Sequence, residues 1–76
     1  PDPAMIFAVL SELGVPVERA IFVGDKLRTD VAAARSAGVR SVYIRKRGAP
    51  FASRELRPDF TISDLRALPG LLRQIG

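Results

Sequence analysis

Seventy-six residues with no histidine and no cysteine leave no Ser-His-Asp or Cys-His arrangement, no imidazole or thiolate zinc site and no disulfide framework within this chain. A hydrophobic fraction of 47% and a charged fraction of 26% are those of an ordinary folded domain and exclude a disordered or low-complexity chain. The net charge of +4 is spread along the chain, with Arg45-Lys46-Arg47 the one run and acids such as Glu12, Glu18 and Asp59 interleaved, so no nucleic acid or other polyanion is expected as a partner.

The chain opens Pro1-Asp2-Pro3 without an initiator methionine, which reads as a cut through a longer protein. Asp2 is placed as an N-cap with Pro3 at the first helical position. Ile6, Val9, Leu10 and Leu13 then recur at helical spacing up to Gly14, predicting an amphipathic helix closed by a left-handed glycine. Pro16 breaks the pattern. Ala20-Ile21-Phe22-Val23 is a short apolar run of the kind that fills a strand buried on both faces. It stops at Gly24-Asp25. The alanine-rich stretch Asp30 to Ala37 closing on Gly38 predicts a second helix, and Ser41-Val42-Tyr43-Ile44 a second strand.

Arg45 to Arg57, with Gly48 and Pro50, is the longest loop. Phe60-Thr61-Ile62 is a third strand, Ser63 is placed to cap a turn of helix, and Pro69 to start a last helix over Leu71, Leu72 and Ile75. Strand, helix and strand at these lengths make a βαβ unit with parallel strands and a right-handed crossover, hence an α/β fold class. One domain fits in this length. A domain this small buries only about 60% of the surface its unfolded chain exposes, so a partner surface is expected. No apolar stretch approaches the ~20 residues that cross a bilayer, which leaves no membrane partner and the cytoplasm as the expected location.

Ligands of open parallel sheets gather outside the carboxyl ends of the strands. The first such position holds Gly24 at the strand exit, Asp25 directly after it, and Asp30 five residues on. Read singly, Asp30 complements a helix dipole and Asp25 is a turn residue. Together they put two repelling carboxylates at one strand edge, and a hard divalent cation relieves that repulsion. Magnesium, held by one or two carboxylates plus water and phosphate oxygens, suits the set better than calcium. The amides opening the helix add positive potential for an anion.

The run Ile21-Phe22-Val23-Gly24-Asp25-Lys26-Leu27-Arg28-Thr29-Asp30 resembles the fourth motif of the haloacid dehalogenase-like (HAD) hydrolase superfamily, a hydrophobic strand ending in Gly-Asp with a second Asp five positions on. The flanks agree. Pro1-Asp2-Pro3 with Ile6-Phe7 is similar to the segment after the third-motif lysine, and Ala33-Ala34 through Ala37-Gly38-Val39 to the stretch after the fourth motif. Phe60-Thr61-Ile62-Ser63-Asp64-Leu65 with Leu68-Pro69 is similar to the C-terminal strand and helix. The resemblance covers nearly the whole chain and implies a partial Rossmann-like three-layer core. It further implies an aspartyl nucleophile attacking phosphorus, magnesium as cofactor with Asp25 as metal ligand, and Asp30 completing the acidic site, as a ligand or by holding water or a lysine. The acidic pair favours phosphate-ester hydrolysis over dehalogenation, with a small phosphorylated substrate.

In this family the nucleophile, its acid-base partner, the second-motif hydroxyl and the third-motif lysine all precede Pro1. The chain is therefore expected to be a single C-terminal segment of the core, without catalytic residues of its own, inactive alone, and prone to associate with itself or with the upstream half. Lys26 departs from the small polar residue common after Gly-Asp; it either points to solvent or sets a positive charge beside the metal. Arg45-Lys46-Arg47 leaves the second strand on the active edge, where it meets substrate or the upstream part of the protein or, the favoured reading, is a solvated loop run; Tyr43 reads as core with a bonded hydroxyl, and Arg28 as a candidate ion-pair partner for Asp30. A competing reading from another class is a non-catalytic Rossmann-like module that binds a protein partner or an anion.

Overall fold

The structure is a computed structural model that describes residues 2–76; Pro1 of the opening Pro-Asp-Pro lies outside them. Helix α1 spans Pro3–Leu13, β1 Ile21–Gly24, α2 Ala32–Ala37, β2 Arg40–Ile44, β3 Phe60–Ile62 and α3 Leu68–Ile75. Short 3-10 turns at Val17–Arg19 and Leu65–Ala67 lead into β1 and α3. Asp2 caps α1, its carboxylate accepting from the Ala4 amide at 2.8 Å. Gly14 ends that helix at φ 68° and Gly38 ends α2 at φ 73°, backbone angles that glycine takes without strain.

The three strands form one parallel sheet in the order β1-β2-β3. Val23 lies opposite Val42 and Gly24 opposite Tyr43, while Tyr43 lies opposite Thr61. The three carboxyl ends therefore share one edge. The fold is α/β, as the alternation of elements predicts.

Ile6 of α1 packs with Ala33 and Ala37 of α2, Val39, and the half-buried Leu10 and Phe22. A second cluster joins Leu27, Val31, Tyr43 and the loop residue Leu56. Tyr43 is buried, and its hydroxyl donates to the Pro50 carbonyl at 2.8 Å, pinning the loop after β2 to the core. At the opposite end of β2, the Ser41 amide donates to the Asp59 carboxylate at 2.8 Å, and the Asp59 amide donates to the Ser41 carbonyl at 3.1 Å.

Two local expectations are corrected. Strand β1 is half-buried at every residue rather than buried on both faces, because it pairs on one side alone and α1 leaves much of its apolar flank open. Met5, Val9 and Leu13 are exposed there and line an apolar groove with Ile21 and Phe22. The turn after β3 is capped by Asp64, whose carboxylate accepts from the Arg66 amide at 2.8 Å, and not by Ser63, one residue too early for that geometry.

Candidate functional site

Strand β1 ends in a glycine for reasons of space. A Cβ at Gly24 would collide with the Asp30 carboxylate, and its φ is not in the left-handed region. Asp30 reaches this position because the chain between β1 and α2 makes a wide π-type turn over Leu27–Val31. The Val31 amide bonds to the Lys26 carbonyl five residues back at 3.3 Å. Single wide turns of this kind concentrate at functional sites. The predicted helix from Asp30 to Ala37 thus starts as this turn and becomes regular at Ala32.

Oδ2 of Asp30 accepts hydrogen bonds from the backbone amides of Asp25 and Lys26, each at 3.1 Å. One carboxylate fixes the backbone that carries the other. Arg28 is not its partner: among the described residues the ion pairs join Lys46 to Asp25 and Arg66 to Asp64.

The Asp25 carboxylate projects from the strand edge with 39% of its side chain exposed, and Lys46 Nζ donates to its Oδ2 at 3.0 Å. That hydrogen bond, with the ammonium's charge behind it, holds the Asp25 carboxyl below the usual carboxylate range, and the charge of Lys26 adds to the effect. Asp25 is therefore ionised throughout the neutral range. The Arg45-Lys46-Arg47 run is not simply solvated, as its composition suggests. Arg45 stacks over the Phe51 ring at 3.6 Å, and Lys46 turns into the cleft.

The cleft at this edge has a volume of about 540 Å3 and is walled by Gly24, Asp25, Asp30, Ile44 and Lys46 on one side and by Ser63 and Asp64 on the other. Asp64 is satisfied locally. Its oxygens accept from the Arg66 Nε and Nη2, both at 2.9 Å, and the guanidinium holds its carboxyl below the usual range. Among the described residues no group of three or more His, Cys, Asp or Glu converges as a ready metal cage. The predicted residues Asp25, Asp30 and Gly24 are brought together, Lys26 contributes its amide and its charge, and Lys46, which the sequence places at the active edge but favours as part of a solvated run, is the member whose contact with Asp25 sequence reasoning did not assign. Its signal was positional. Lys46 follows β2 by two residues, and β2 lies beside β1 in parallel register, so it emerges at the edge that carries Asp25.

The profile of the HAD-hydrolase-like family matches residues 1–68. The chain is similar to a probable phosphoglycolate phosphatase of Pseudomonas savastanoi, with 49% identity over 76 residues that cover 95% of this chain and 46% of that protein. It is equally similar, at 49% identity, to the phosphoglycolate phosphatase of Pseudomonas savastanoi pv. phaseolicola, covering 95% of this chain and 27% of that one. It thus spans less than half the length of these curated relatives. The crystal structure of a 2-haloacid dehalogenase from Pseudomonas syringae pv. tomato superposes with a TM-score of 0.88 at 32% identity, covering 100% of this chain and 33% of the other. A strand ending in Gly24-Asp25, the returning Asp30 and the parallel β1-β2-β3 sheet are thus found in the company that their geometry suggests, and the chain belongs to the HAD-hydrolase-like family.

Proposed function

We propose that the chain is the C-terminal segment of the core domain of a magnesium-dependent phosphatase that hydrolyses a small phosphate ester in the cytoplasm through an aspartyl-phosphate intermediate. The carrying observation is the Asp25 carboxylate, ionised, open to the cleft and braced by the Asp30 bonds to its own amide and the next. The relatives named as phosphoglycolate phosphatases favour a small phosphorylated acid as substrate.

The donor set fits magnesium. Asp25 supplies a hard, charged oxygen at an open edge, and a lysine ammonium rests against it as a monovalent stand-in at 3.0 Å. Asp30 keeps its Oδ1 for a water or the cation while Oδ2 holds the turn. Magnesium takes one or two carboxylates and completes its octahedron with water and phosphate oxygens. When bound, the cation neutralises the phosphate charge and polarises phosphorus.

This chain's own residues do the holding. Asp25 ligates, Asp30 fixes the backbone under it, and Gly24 lets Asp30 come close. The nucleophilic aspartate comes from the remainder of the core, which packs on the open edge of β1 and the apolar groove beside α1. With that part missing, copies of the chain associate through the same face. The dehalogenase likeness supports the fold. For the chemistry, an acidic pair with a cation on it suits phosphate and a hydrated metal.

In the intact protein, magnesium-dependent hydrolysis of 2-phosphoglycolate or 4-nitrophenyl phosphate is expected, and loss of activity in EDTA should be reversed by added magnesium. The 76-residue chain alone should neither turn over these esters nor bind magnesium tightly. Turnover by the isolated chain that disappears in Asp25→Ala would place the nucleophile within it and overturn this division. An intact protein that binds anions but hydrolyses none of these esters would favour the non-catalytic module.

A further inference from the structure

Building on the phosphatase reading, we propose that Lys46 is a substrate-positioning residue: its ammonium rests on Asp25 when no cation is bound, and turns to the anionic group of the phosphate ester when a divalent cation takes its place. The cleft presents three carboxylates, and two have local partners. Asp64 is held by Arg66, and Asp30 by two backbone amides. Asp25 alone relies on a residue far along the chain, 21 positions away.

The ammonium is free to move. Lys46 is 69% exposed and carries its charge on a flexible four-carbon stem, unlike a guanidinium locked in a planar fork. Its neighbour Arg45 is committed to the Phe51 ring. A divalent cation on Asp25 removes the attraction that draws Lys46 inward and replaces it with repulsion between like charges a few ångströms apart. A phosphate ester, meanwhile, brings negative charge into a cleft whose other charged side chains are the acids Asp25, Asp30 and Asp64. Its binding needs positive charge beyond that of the cation. Among the side chains that wall the cleft, Lys46 carries the one positive charge.

The test uses the intact protein with Lys46→Met and Lys46→Arg, both at an exposed position that the fold tolerates. Mn2+ affinity without substrate, read by electron paramagnetic resonance, should tighten several-fold in Lys46→Met because the resident competitor is gone. In the presence of Mn2+, inorganic phosphate should bind about tenfold more weakly to Lys46→Met, the scale of one charge-assisted hydrogen bond. KM for the ester should rise by a similar factor, with a smaller change in kcat, and Lys46→Arg should recover most of it. Mn2+ affinity that is unchanged or weaker, or phosphate affinity that is unchanged, overturns the proposal. Should the wild-type protein hydrolyse no ester, the phosphatase reading fails, and the Mn2+ and inorganic-phosphate measurements still decide the role of Lys46.

Discussion

Two strand ends in this chain carry an aspartate beside a basic residue, and they differ in where the basic partner comes from. Asp64, after β3, is held by Arg66 two residues away, which offers its own backbone amide and two guanidinium nitrogens. Asp25, after β1, is held by one ammonium from the neighbouring strand's exit. A short-range fork fixes a carboxylate as a cap and leaves little for a ligand. A single flexible lysine neutralises a carboxylate that a stronger cation can claim. On the proposed reading this difference separates a structural acid from a metal-binding one more clearly than charge or exposure, since both carboxylates are part-exposed and both are held below the usual carboxylate range.

The largest expected effect separates those two acids. Asp25→Asn in the intact protein should abolish magnesium-dependent turnover without loss of fold, because it removes charge and not volume. Asp64→Asn should retain turnover with little change in stability, since asparagine caps a helix about as well as aspartate and the Arg66 ion pair it gives up is exposed. Equal losses of activity would erase the distinction. Asp30→Asn keeps the shape that accepts the two amides but weakens those bonds and removes a charge. A fall in activity or metal affinity on the order of 10–100-fold is expected, the usual cost of losing a group that orients a ligand. Isothermal titration with magnesium would check it.

Gly24→Ala acts through space. Its methyl meets the Asp30 carboxylate, so the turn must shift, at a cost of about 1–3 kcal/mol in urea unfolding, together with weaker metal binding. Unaltered stability and affinity would show that Asp30 does not need this close approach. The smallest effect is expected at Tyr43→Phe. It removes one buried hydrogen bond to the Pro50 carbonyl, worth about 1 kcal/mol, and should raise hydrogen exchange in the loop after β2 while Asp25 keeps its metal affinity.

The βαβ core was legible because its signals are local. Apolar runs of strand length, an alanine-rich helix and glycines at helix ends each state their structure within a few residues. The Gly24-Asp25 pair and Asp30 were legible for the same reason. What escaped depends on contacts between distant segments. The role of Gly24 is set by a carboxylate six residues ahead that arrives through a wide turn, and no periodicity announces that turn. Lys46 sits in a loop run that the sequence places at the active edge but whose composition favours solvent, and its pairing with Asp25 needs the register of β1 and β2 and the side-chain contact itself. The exposure of β1 was likewise misread, since a continuous apolar strand predicts two covered faces and this chain supplies cover for part of them.

The central claim is that the Asp25 carboxylate holds the catalytic cation. Its most direct test is the dissociation constant of Mn2+ for the intact protein and for its Asp25→Asn variant, measured by electron paramagnetic resonance without substrate, with circular dichroism confirming that both are folded. The account predicts that the folded variant loses measurable Mn2+ binding. A folded Asp25→Asn protein that binds Mn2+ as tightly as the wild type would contradict it.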